Sequence, residues 1–173
     1  MAATCQRIDY FFNNKYMTTG TWLLRTFNEL SNDELYNILK LRNAIFIVDQ
    51  QCIFPDIDGR DLNNCYHLFC TLNGQIIAYA RIFGPGQIYQ EPCLSRVCTS
   101  LDQRGKGMGK ELLKRALDET SRLFPGQSVR IGAQLYLKTF YESFGFKLDG
   151  DLYIEDGIEH IQMIKKELEL SKQ

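Results

Sequence analysis

Apolar and polar residues along the chain follow two different periods, which predict strands in some segments and helices in others. Helical spacing predicts a helix that begins at Ser31, a second over Gly105 to Leu123 and a third over Leu137 to Phe144. Strands interspersed with helices in this order predict one α/β domain with a sheet of mixed strand direction. The runs that predict strands are Trp22 to Phe27, His67 to Leu72, Gln75 to Phe83, Leu94 to Thr99, Val129 to Ala133, Leu152 to Glu155 and Ile158 to Met163.

Two dipeptides, Asn73-Gly74 and Asp156-Gly157, predict tight hairpins between neighbouring strands. The second turn would set Tyr153 opposite His160 on one face of the last hairpin. Such a pair suits either simple cross-strand packing or the border of a substrate site, and the sequence leaves both open.

The stretch from Asp49 to Asn64 carries one proline, one glycine and four aspartates, which predicts a long loop. Arg81 and Arg96 stand among apolar neighbours on predicted strands, and a buried guanidinium there needs a carboxylate partner. Pairing with this loop would make it structural rather than substrate-binding. The available partners are Asp56, Asp58 and Asp61.

Composition narrows the class of protein. The 173 residues suffice for one core, and 45% hydrophobic with 24% charged residues is typical of a globular domain. A formal net charge of −1 argues against a nucleic-acid partner, which requires clustered basic residues. The sequence predicts neither a membrane span nor a secretory signal. We therefore expect a cytoplasmic monomer or homodimer, with an N-terminal extension over residues 1–20 and a single domain over residues 21–173.

Six cysteines and two histidines are scattered without a C-x-x-C pair, which argues against a disulfide scaffold and against zinc. We expect buried, reduced thiols and no metal. The cysteines are Cys5, Cys52, Cys65, Cys70, Cys93 and Cys98.

The most informative segment runs from Gln103 to Lys110, directly before a predicted amphipathic helix. Its three glycines let a ligand approach the backbone, and free amides at a helix start favour an anion such as phosphate. A nucleotide-triphosphate loop is excluded because Glu111 stands where a magnesium-binding hydroxyl is required, and G-x-G-x-G does not match a dinucleotide site. A glycine-rich turn without a ligand is the alternative.

Arg104 to Gly109 reads R-x-x-G-x-G, which resembles the pyrophosphate-binding motif of the GNAT N-acetyltransferase superfamily. Gln134 to Phe146 reads QLYLKTFYESFGF and resembles that family's second acetyl-CoA segment, with Tyr141 seven positions after an amide residue. Further segments, among them DIDGRDL and YIEDGIEHIQM, look like the ElaA-like branch, so that the resemblance covers about Trp22 to Lys166. Asp49 departs from the glutamate expected there.

The resemblance implies an acyl-CoA N-acyltransferase fold in which the strands Leu94 to Thr99 and Val129 to Ala133 run parallel and splay apart around acetyl-CoA. It also implies that Tyr141 is the general acid, although helical spacing with Leu137 alone would suit a core aromatic. The implied cofactor-binding residues are Val97, Cys98, Thr99, Arg104, Gly105, Lys106, Gly107, Met108, Gly109, Lys110, Gln134 and Tyr141.

We expect transfer of acetyl from acetyl-CoA to the amine of a small molecule or peptide, by direct attack in a ternary complex. A non-catalytic module that binds or senses acyl-CoA is the alternative. A route through an acetylated Cys98 is disfavoured, because no histidine lies near it in the sequence and no activating motif is present.

A protonated amine must lose a proton before it attacks, so the reaction needs a base. Glu91 and His160 are the main candidates for this base, and Asp49, His67 and Glu155 are further candidates. The residues that we expect on the acceptor side are Phe46, Asp49, Gln50, His67, Tyr153 and His160.

Overall fold

The computed structural model describes residues 20–167, and one sheet of seven strands forms their centre. The strands are β1 (Thr21–Thr26), β2 (Cys65–Leu72), β3 (Gln75–Phe83), β4 (Cys93–Thr99), β5 (Val129–Gln134), β6 (Lys147–Glu155) and β7 (Ile158–Lys165). Their order in the sheet is β1-β2-β3-β4-β5-β7-β6, and only the β4–β5 pair is parallel. The helices of this region are α1 (Asn32–Arg42), α2 (Met108–Leu123) and α3 (Lys138–Glu142). The predicted mixed α/β sheet is confirmed.

Helices α1 and α2 cover opposite faces of the sheet. Successive side chains of β3 point to opposite sides, so neighbouring residues of β3 pack against different helices. Ala80 belongs to the cluster that contains Leu113 of α2, whereas Tyr79 belongs to the cluster that contains Phe69 and Ile38 of α1. Each fully buried side chain of leucine or phenylalanine size contributes about 1.5–3 kcal/mol to folding. The two layers therefore fix the sheet on both sides.

The predicted start of α1 is confirmed by its cap. The Ser31 hydroxyl accepts a hydrogen bond from the Glu34 amide at 3.1 Å, and the Glu34 carboxylate accepts one from the Ser31 amide at 2.8 Å. The chain then continues beyond Arg42 as a π-helical segment, Asn43–Asp49, which helical spacing alone had not distinguished from α-helix.

Both predicted hairpin turns are present. Asn73 and Gly74 have φ values of 50° and 76°, and Asp156 and Gly157 have 51° and 79°. Two successive residues with positive φ match the right-handed twist of the flanking strands. Tyr153 consequently faces His160 across the β6–β7 pair, as predicted.

Several element boundaries differ from the sequence prediction, and three of the differences have a visible cause or affect the site. α2 begins at Met108 rather than at residue 105, because Gly105 and Gly107 adopt left-handed φ values of 72° and 85°. The predicted helix over residues 137–144 shortens to α3, which a 3₁₀ turn precedes. Strand β6 begins earlier, at Lys147, and its pairing with β7 is irregular around Gly150.

The five cysteines between residues 20 and 167 are unpaired and buried, as predicted, and Cys5 lies outside the described residues. No helix in this part of the chain is long and apolar enough to cross a membrane.

Candidate active site

Strands β4 and β5 pair at only two positions, Cys93 with Arg130 and Leu94 with Ile131. From Ser95 onward the two strands separate, so that one edge of β4 has no strand partner. The predicted splay of the central parallel strands is confirmed, and the gap exposes backbone groups that an extended ligand can pair with.

A β-bulge bends β4 where it leaves β5. Tyr79 of β3 faces Cys98 and Arg81 faces Ser95, so one residue of β3 lies opposite two residues of β4. Arg96 lies in this bulge with a φ of 53°. Left-handed backbone is unusual for a residue other than glycine, and the surrounding structure must hold it there.

A cavity of about 190 Å³ opens in the gap between the two strands. One wall comes from the segment after α1 and from β4, and the other from β5 and the β6–β7 hairpin. The residues that line the cavity include Phe46, Gln50, Phe54, Arg96, Val97, Gly132, Gln134, Tyr141, Tyr153, Glu155 and His160. We refer to this gap and cavity as the cleft.

Residues 104–109, the glycine turn, lie between β4 and α2. A Cβ atom built on Gly105, Gly107 or Gly109 would meet nothing within 4 Å, so the backbone of the turn faces open space. The amides of Met108 and Gly109 belong to the first turn of α2 and have no intrahelical acceptor. The basic side chains of the turn and of Lys110 are exposed. This donor set suits a diphosphate.

Polar contacts join the segment after α1 to the other side of the cleft. Arg104 Nη2 lies 2.6 Å from Asp49 Oδ2. The side-chain amide nitrogen of Gln134 donates to the side-chain oxygen Oε1 of Gln50 at 3.2 Å. The side-chain nitrogen Nε2 of Gln50 donates to the Tyr136 hydroxyl at 3.3 Å. Residues predicted for the cofactor therefore contact residues predicted for the acceptor.

Tyr141 lines the cavity and is 6% exposed. Its ring packs edge-on against Phe140 and Phe146, with centroid distances of 5.2 and 5.8 Å. Burial raises the pKa of the phenol well above its usual range, so the hydroxyl stays protonated near neutral pH. A protonated hydroxyl beside the cleft is suited to donate a proton.

Cys98 belongs to the opposite face of the sheet from Tyr141. It packs with Ile38 and Tyr79 in the cluster beneath α1 and is 6% exposed. Burial raises the pKa of its thiol to about 12, which leaves almost no thiolate near neutral pH. Its neighbour Val97 lines the cavity.

Of the base candidates, His160 and Glu155 lie in the cavity wall. The geometry of His160 suits it to accept a proton. Its Nδ1 is 2.9 Å from the Ile158 carbonyl oxygen, which can only accept, so Nδ1 carries a hydrogen. In the neutral ring, Nε2 then holds the free lone pair. The Tyr153 ring lies beside it, with 5.7 Å between centroids, and burial followed by the Glu155 charge raises the pKa of Tyr153 to about 12.

Two other predicted residues lie outside the cavity wall. Glu91 binds Arg130 through two contacts of 3.0 Å, and these hydrogen bonds hold the pKa of its carboxyl below the usual value. His67 is 1% exposed, lies 2.8 Å from the Tyr79 hydroxyl, and burial lowers its pKa. Neither side chain is positioned to meet a substrate in the cleft.

Sequence reasoning missed Tyr89 and Gly132 in the cavity wall. A Cβ atom on Gly132 would lie 2.8 Å from the Tyr153 hydroxyl and 3.6 Å from the Tyr89 hydroxyl, so glycine makes room for both phenols. A glycine inside a predicted strand is the signal by which Gly132 could have been found, because it indicates a close approach. Tyr89 follows an irregular segment, and no pattern in the sequence singled it out.

Three arginines and three aspartates form a closed ring beside the cleft. Each arginine contacts two aspartates and each aspartate contacts two arginines, so the predicted pairing of the loop with Arg81 and Arg96 is confirmed. Arg42 of α1 completes the ring, which the sequence did not indicate. The contacts are Arg42–Asp56 at 2.9 Å, Asp56–Arg96 at 2.7 Å, Arg96–Asp58 at 3.3 Å, Asp58–Arg81 at 2.9 Å, Arg81–Asp61 at 2.9 Å and Asp61–Arg42 at 2.8 Å.

The opened mixed sheet and the glycine turn at its mouth define a class of acyltransferase. The family model described as the acetyltransferase (GNAT) domain matches residues 58–167 of this chain. The chain therefore belongs to the GNAT acyltransferase family.

Within that family the chain is similar to the ElaA-like proteins. Protein ElaA of Escherichia coli is 39% identical over 140 residues, which cover 80% of this chain and 92% of ElaA. A UPF0039 protein of Synechocystis is 40% identical over 144 residues, covering 83% and 93%. The predicted membership of the ElaA-like branch is confirmed.

Solved structures agree with the sequence relatives. An acyl-CoA N-acyltransferase from Pseudomonas aeruginosa superposes with a TM-score of 0.82 at 34% identity, covering 85% of this chain and 99% of that one. The crystal structure of E. coli ElaA gives a TM-score of 0.80 at 36% identity, covering 86% and 100%.

Proposed function

We propose that this protein is an N-acetyltransferase that moves acetyl from acetyl-CoA to an amine by direct attack in a ternary complex. The observation that carries the proposal is the open edge of β4 beyond Ser95, which is followed in the chain by the glycine turn and adjoins the cavity that Tyr141 lines. A CoA thioester bound along this edge would present its diphosphate to the turn, its pantetheine arm to β4 and its sulfur to Tyr141.

On the donor side, the β4 backbone from Val97 to Thr99 pairs with the pantetheine amides as an added strand would. The amides of Gly105, Gly107, Met108 and Gly109, with the side chains of Arg104, Lys106 and Lys110, hold the diphosphate. Gln134 borders the same groove from the opposite strand. Bound there, the cofactor supplies a thioester as the acyl donor.

On the acceptor side, Phe46, Gln50, Tyr153 and His160 border the amine. A lysine-like amine has a pKa of about 10.4 and is mostly protonated near neutrality. His160 takes its proton at Nε2, directly or through one water molecule. Glu155, in the same wall, favours a cationic acceptor by its charge.

Transfer then requires the nitrogen to attack the carbonyl carbon and the carbon–sulfur bond to break. Backbone amides near Val97 stabilise the charge that develops on the carbonyl oxygen. Tyr141 donates its proton to the departing sulfur and regains one from the amine nitrogen, so the free thiol and the amide are the products. Because Cys98 is buried on the opposite face, no acetylated cysteine is formed.

The test is a thiol-release assay with acetyl-CoA over a panel of polyamines, amino acids, aminoglycosides and lysine or N-terminal peptides. We expect release that depends on an amine, with intersecting double-reciprocal lines when both substrates are varied. Parallel lines would contradict direct attack. Tight binding of acetyl-CoA without release for any amine would indicate a binding module instead.

A further inference from the structure

We propose that Arg96 is a positioning residue that, through the arginine–aspartate ring, holds the β4 bulge and the loop carrying Phe54 in a fixed relative position along one wall of the cleft. The inference deepens the proposed function and rests on it for its catalytic consequence. It concerns a residue that contacts neither diphosphate nor sulfur in the scheme above, and whose charge is already neutralised within the protein.

The backbone at Arg96 gives the first argument. A φ of 53° is unfavourable for any side chain, and glycine would adopt it without cost. Arginine at this position therefore requires a compensating interaction of its side chain. The bulge that this conformation creates is where β4 turns away from β5 and the cleft begins.

The side chain of Arg96 supplies that interaction with three contacts. Its Nε lies 2.7 Å from Asp56 and its Nη2 lies 3.3 Å from Asp58. The guanidinium also stacks over the Phe54 ring, with 4.7 Å to the centroid. All three partners belong to the loop between α1 and β2, so Arg96 fastens the bulge to that loop.

The rest of the ring makes this attachment stiff. Asp56 is also held by Arg42 of α1, and Asp58 is also held by Arg81 of β3. Arg81 in addition donates to the hydroxyl of Ser95, the β4 residue before Arg96, at 3.0 Å. The loop, the helix and both strands thus share one network whose charges cancel.

Loss of the Arg96 side chain would affect the cleft. Phe54 and Arg96 both line the cavity, and the cofactor-binding stretch of β4 begins one residue beyond Arg96. Without the Arg96 side chain, the bulge of β4 and the loop that carries Phe54 would move independently. The edge of β4 at Val97 to Thr99 would then fluctuate and present its backbone groups less often in the binding geometry.

Three substitutions separate the side chain from the backbone. Arg96→Gly removes the contacts and relieves the unfavourable φ, Arg96→Ala removes the contacts and keeps the unfavourable φ, and Arg96→Lys keeps the charge but not the planar fork. Arg122→Ala is the matched control, because that guanidinium is 58% exposed and pairs with Glu119 on the surface of α2. Asp56 and Asp58 each keep one arginine in every variant, and Arg96 is 20% exposed, so we expect each variant to fold.

Hydrogen exchange in the ligand-free protein tests the attachment itself. We expect Arg96→Gly to exchange roughly ten-fold faster than wild type at Val97 to Thr99 and around Phe54, while β1 and α2 stay unchanged. Arg96→Ala should do the same, and Arg122→Ala should match wild type. Unchanged protection in Arg96→Gly would overturn the inference, even if the protein proves to be an acetyltransferase.

Calorimetry with CoA and steady-state kinetics test the consequence. We expect Arg96→Gly to raise the Kd for CoA and the KM for acetyl-CoA roughly ten-fold, with kcat lowered less and Arg96→Lys in between. Values within two-fold of wild type would overturn it. If local protection falls in Arg96→Gly but wild type binds no CoA, the proposed function fails while the attachment of the bulge to the loop stands.

Discussion

The glycine turn and the arginine–aspartate ring both concentrate charge beside the cleft, and they differ in how that charge is satisfied. In the ring, three cations and three anions contact one another and are largely buried, so no charge is left for a ligand. In the turn, the amides of Met108 and Gly109 have no intrahelical acceptor, and the side chains of Lys106 and Lys110 are exposed.

The difference teaches where to look for a ligand in this fold. A buried charge that is already paired holds the surrounding segments in place, because its removal leaves the partner charge uncompensated. A donor that faces open space contributes binding, because only a ligand or water completes it. The hydroxyl of Tyr141 belongs to the second group, since within residues 20–167 it makes no hydrogen bond. Substitutions on the two sides should therefore change different measurements.

Breaking the ring at its most buried member should give the largest effect. Arg42→Ala leaves Asp56 and Asp61 each with one arginine in a desolvated site, and we expect the free energy of unfolding to fall by about 3–5 kcal/mol. Urea denaturation measures it. Arg122→Ala, as the surface control, should change it by less than about 1 kcal/mol. Equal losses in the two variants would remove the distinction between buried and exposed pairs.

Removing the hydroxyl of Tyr141 should affect turnover without affecting stability. We expect Tyr141→Phe to lower kcat by roughly ten-fold or more, because the departing sulfur loses its proton donor. The unfolding midpoint should stay near that of wild type, since the hydroxyl has no partner in the described residues to lose. A kcat near that of wild type would exclude Tyr141 from the mechanism.

Filling the open face of the glycine turn should weaken cofactor binding. Gly107 has a φ of 85°, and a methyl group there would point into the space reserved for the diphosphate. We expect Gly107→Ala to raise the Kd for CoA about ten-fold, equivalent to about 1.4 kcal/mol. Gly86→Ala is the control, because Gly86 has a similar φ of 78° and an open Cβ direction but lies before β4. Equal Kd values for the two variants would contradict a specific role for the turn.

Releasing Arg104 from its ion pair should tighten cofactor binding, which is the opposite of the effect expected for Gly107→Ala. Asp49 holds Arg104 in a partly exposed ion pair of 2.6 Å, which a diphosphate has to displace. We therefore expect Asp49→Asn to tighten CoA binding by about two- to three-fold, the size expected for a surface pair. Calorimetry at low and high salt checks this expectation. Weaker binding in the variant would mean that Asp49 assists the cofactor rather than competing with it.

The smallest effect near neutral pH concerns acid stability. Burial favours the protonated form of Asp58, but the hydrogen bonds and charge of Arg81 outweigh it and bring its pKa from 3.8 to about 2. A lowered folded-state pKa gives stability that is present above about pH 4 and is lost as the pH falls through about 2. Denaturation midpoints between pH 5 and pH 2 should fall less steeply in Asp58→Asn than in wild type. Parallel pH dependences would contradict this source of acid sensitivity.

Local signals in the sequence were sufficient for much of this architecture. Asn73-Gly74 and Asp156-Gly157 specify their turns through residues that tolerate positive φ, so both hairpins and the facing of Tyr153 and His160 were predictable. Because a buried guanidinium needs a carboxylate, the apolar surroundings of Arg81 and Arg96 and the aspartates of the loop predicted their pairing.

Features that depend on contacts between distant segments were not predictable in the same way. Arg42 read only as one position of an amphipathic helix, and its place in the ring follows from the docking of α1 on the sheet. The bulge at Arg96 lies within an unbroken strand pattern, and the burial of His67 depends on how β2 and β3 register. Composition and periodicity record neither docking nor register.

The most direct test of the account is a calorimetric titration of the folded protein with acetyl-CoA, with CoA, and with pantetheine, which lacks the diphosphate. The account predicts saturable heat with both CoA forms and at least roughly ten-fold weaker binding of pantetheine. Absence of heat with either CoA form, or equal affinity for pantetheine, would contradict the claim that the glycine turn holds the diphosphate beside the opened sheet.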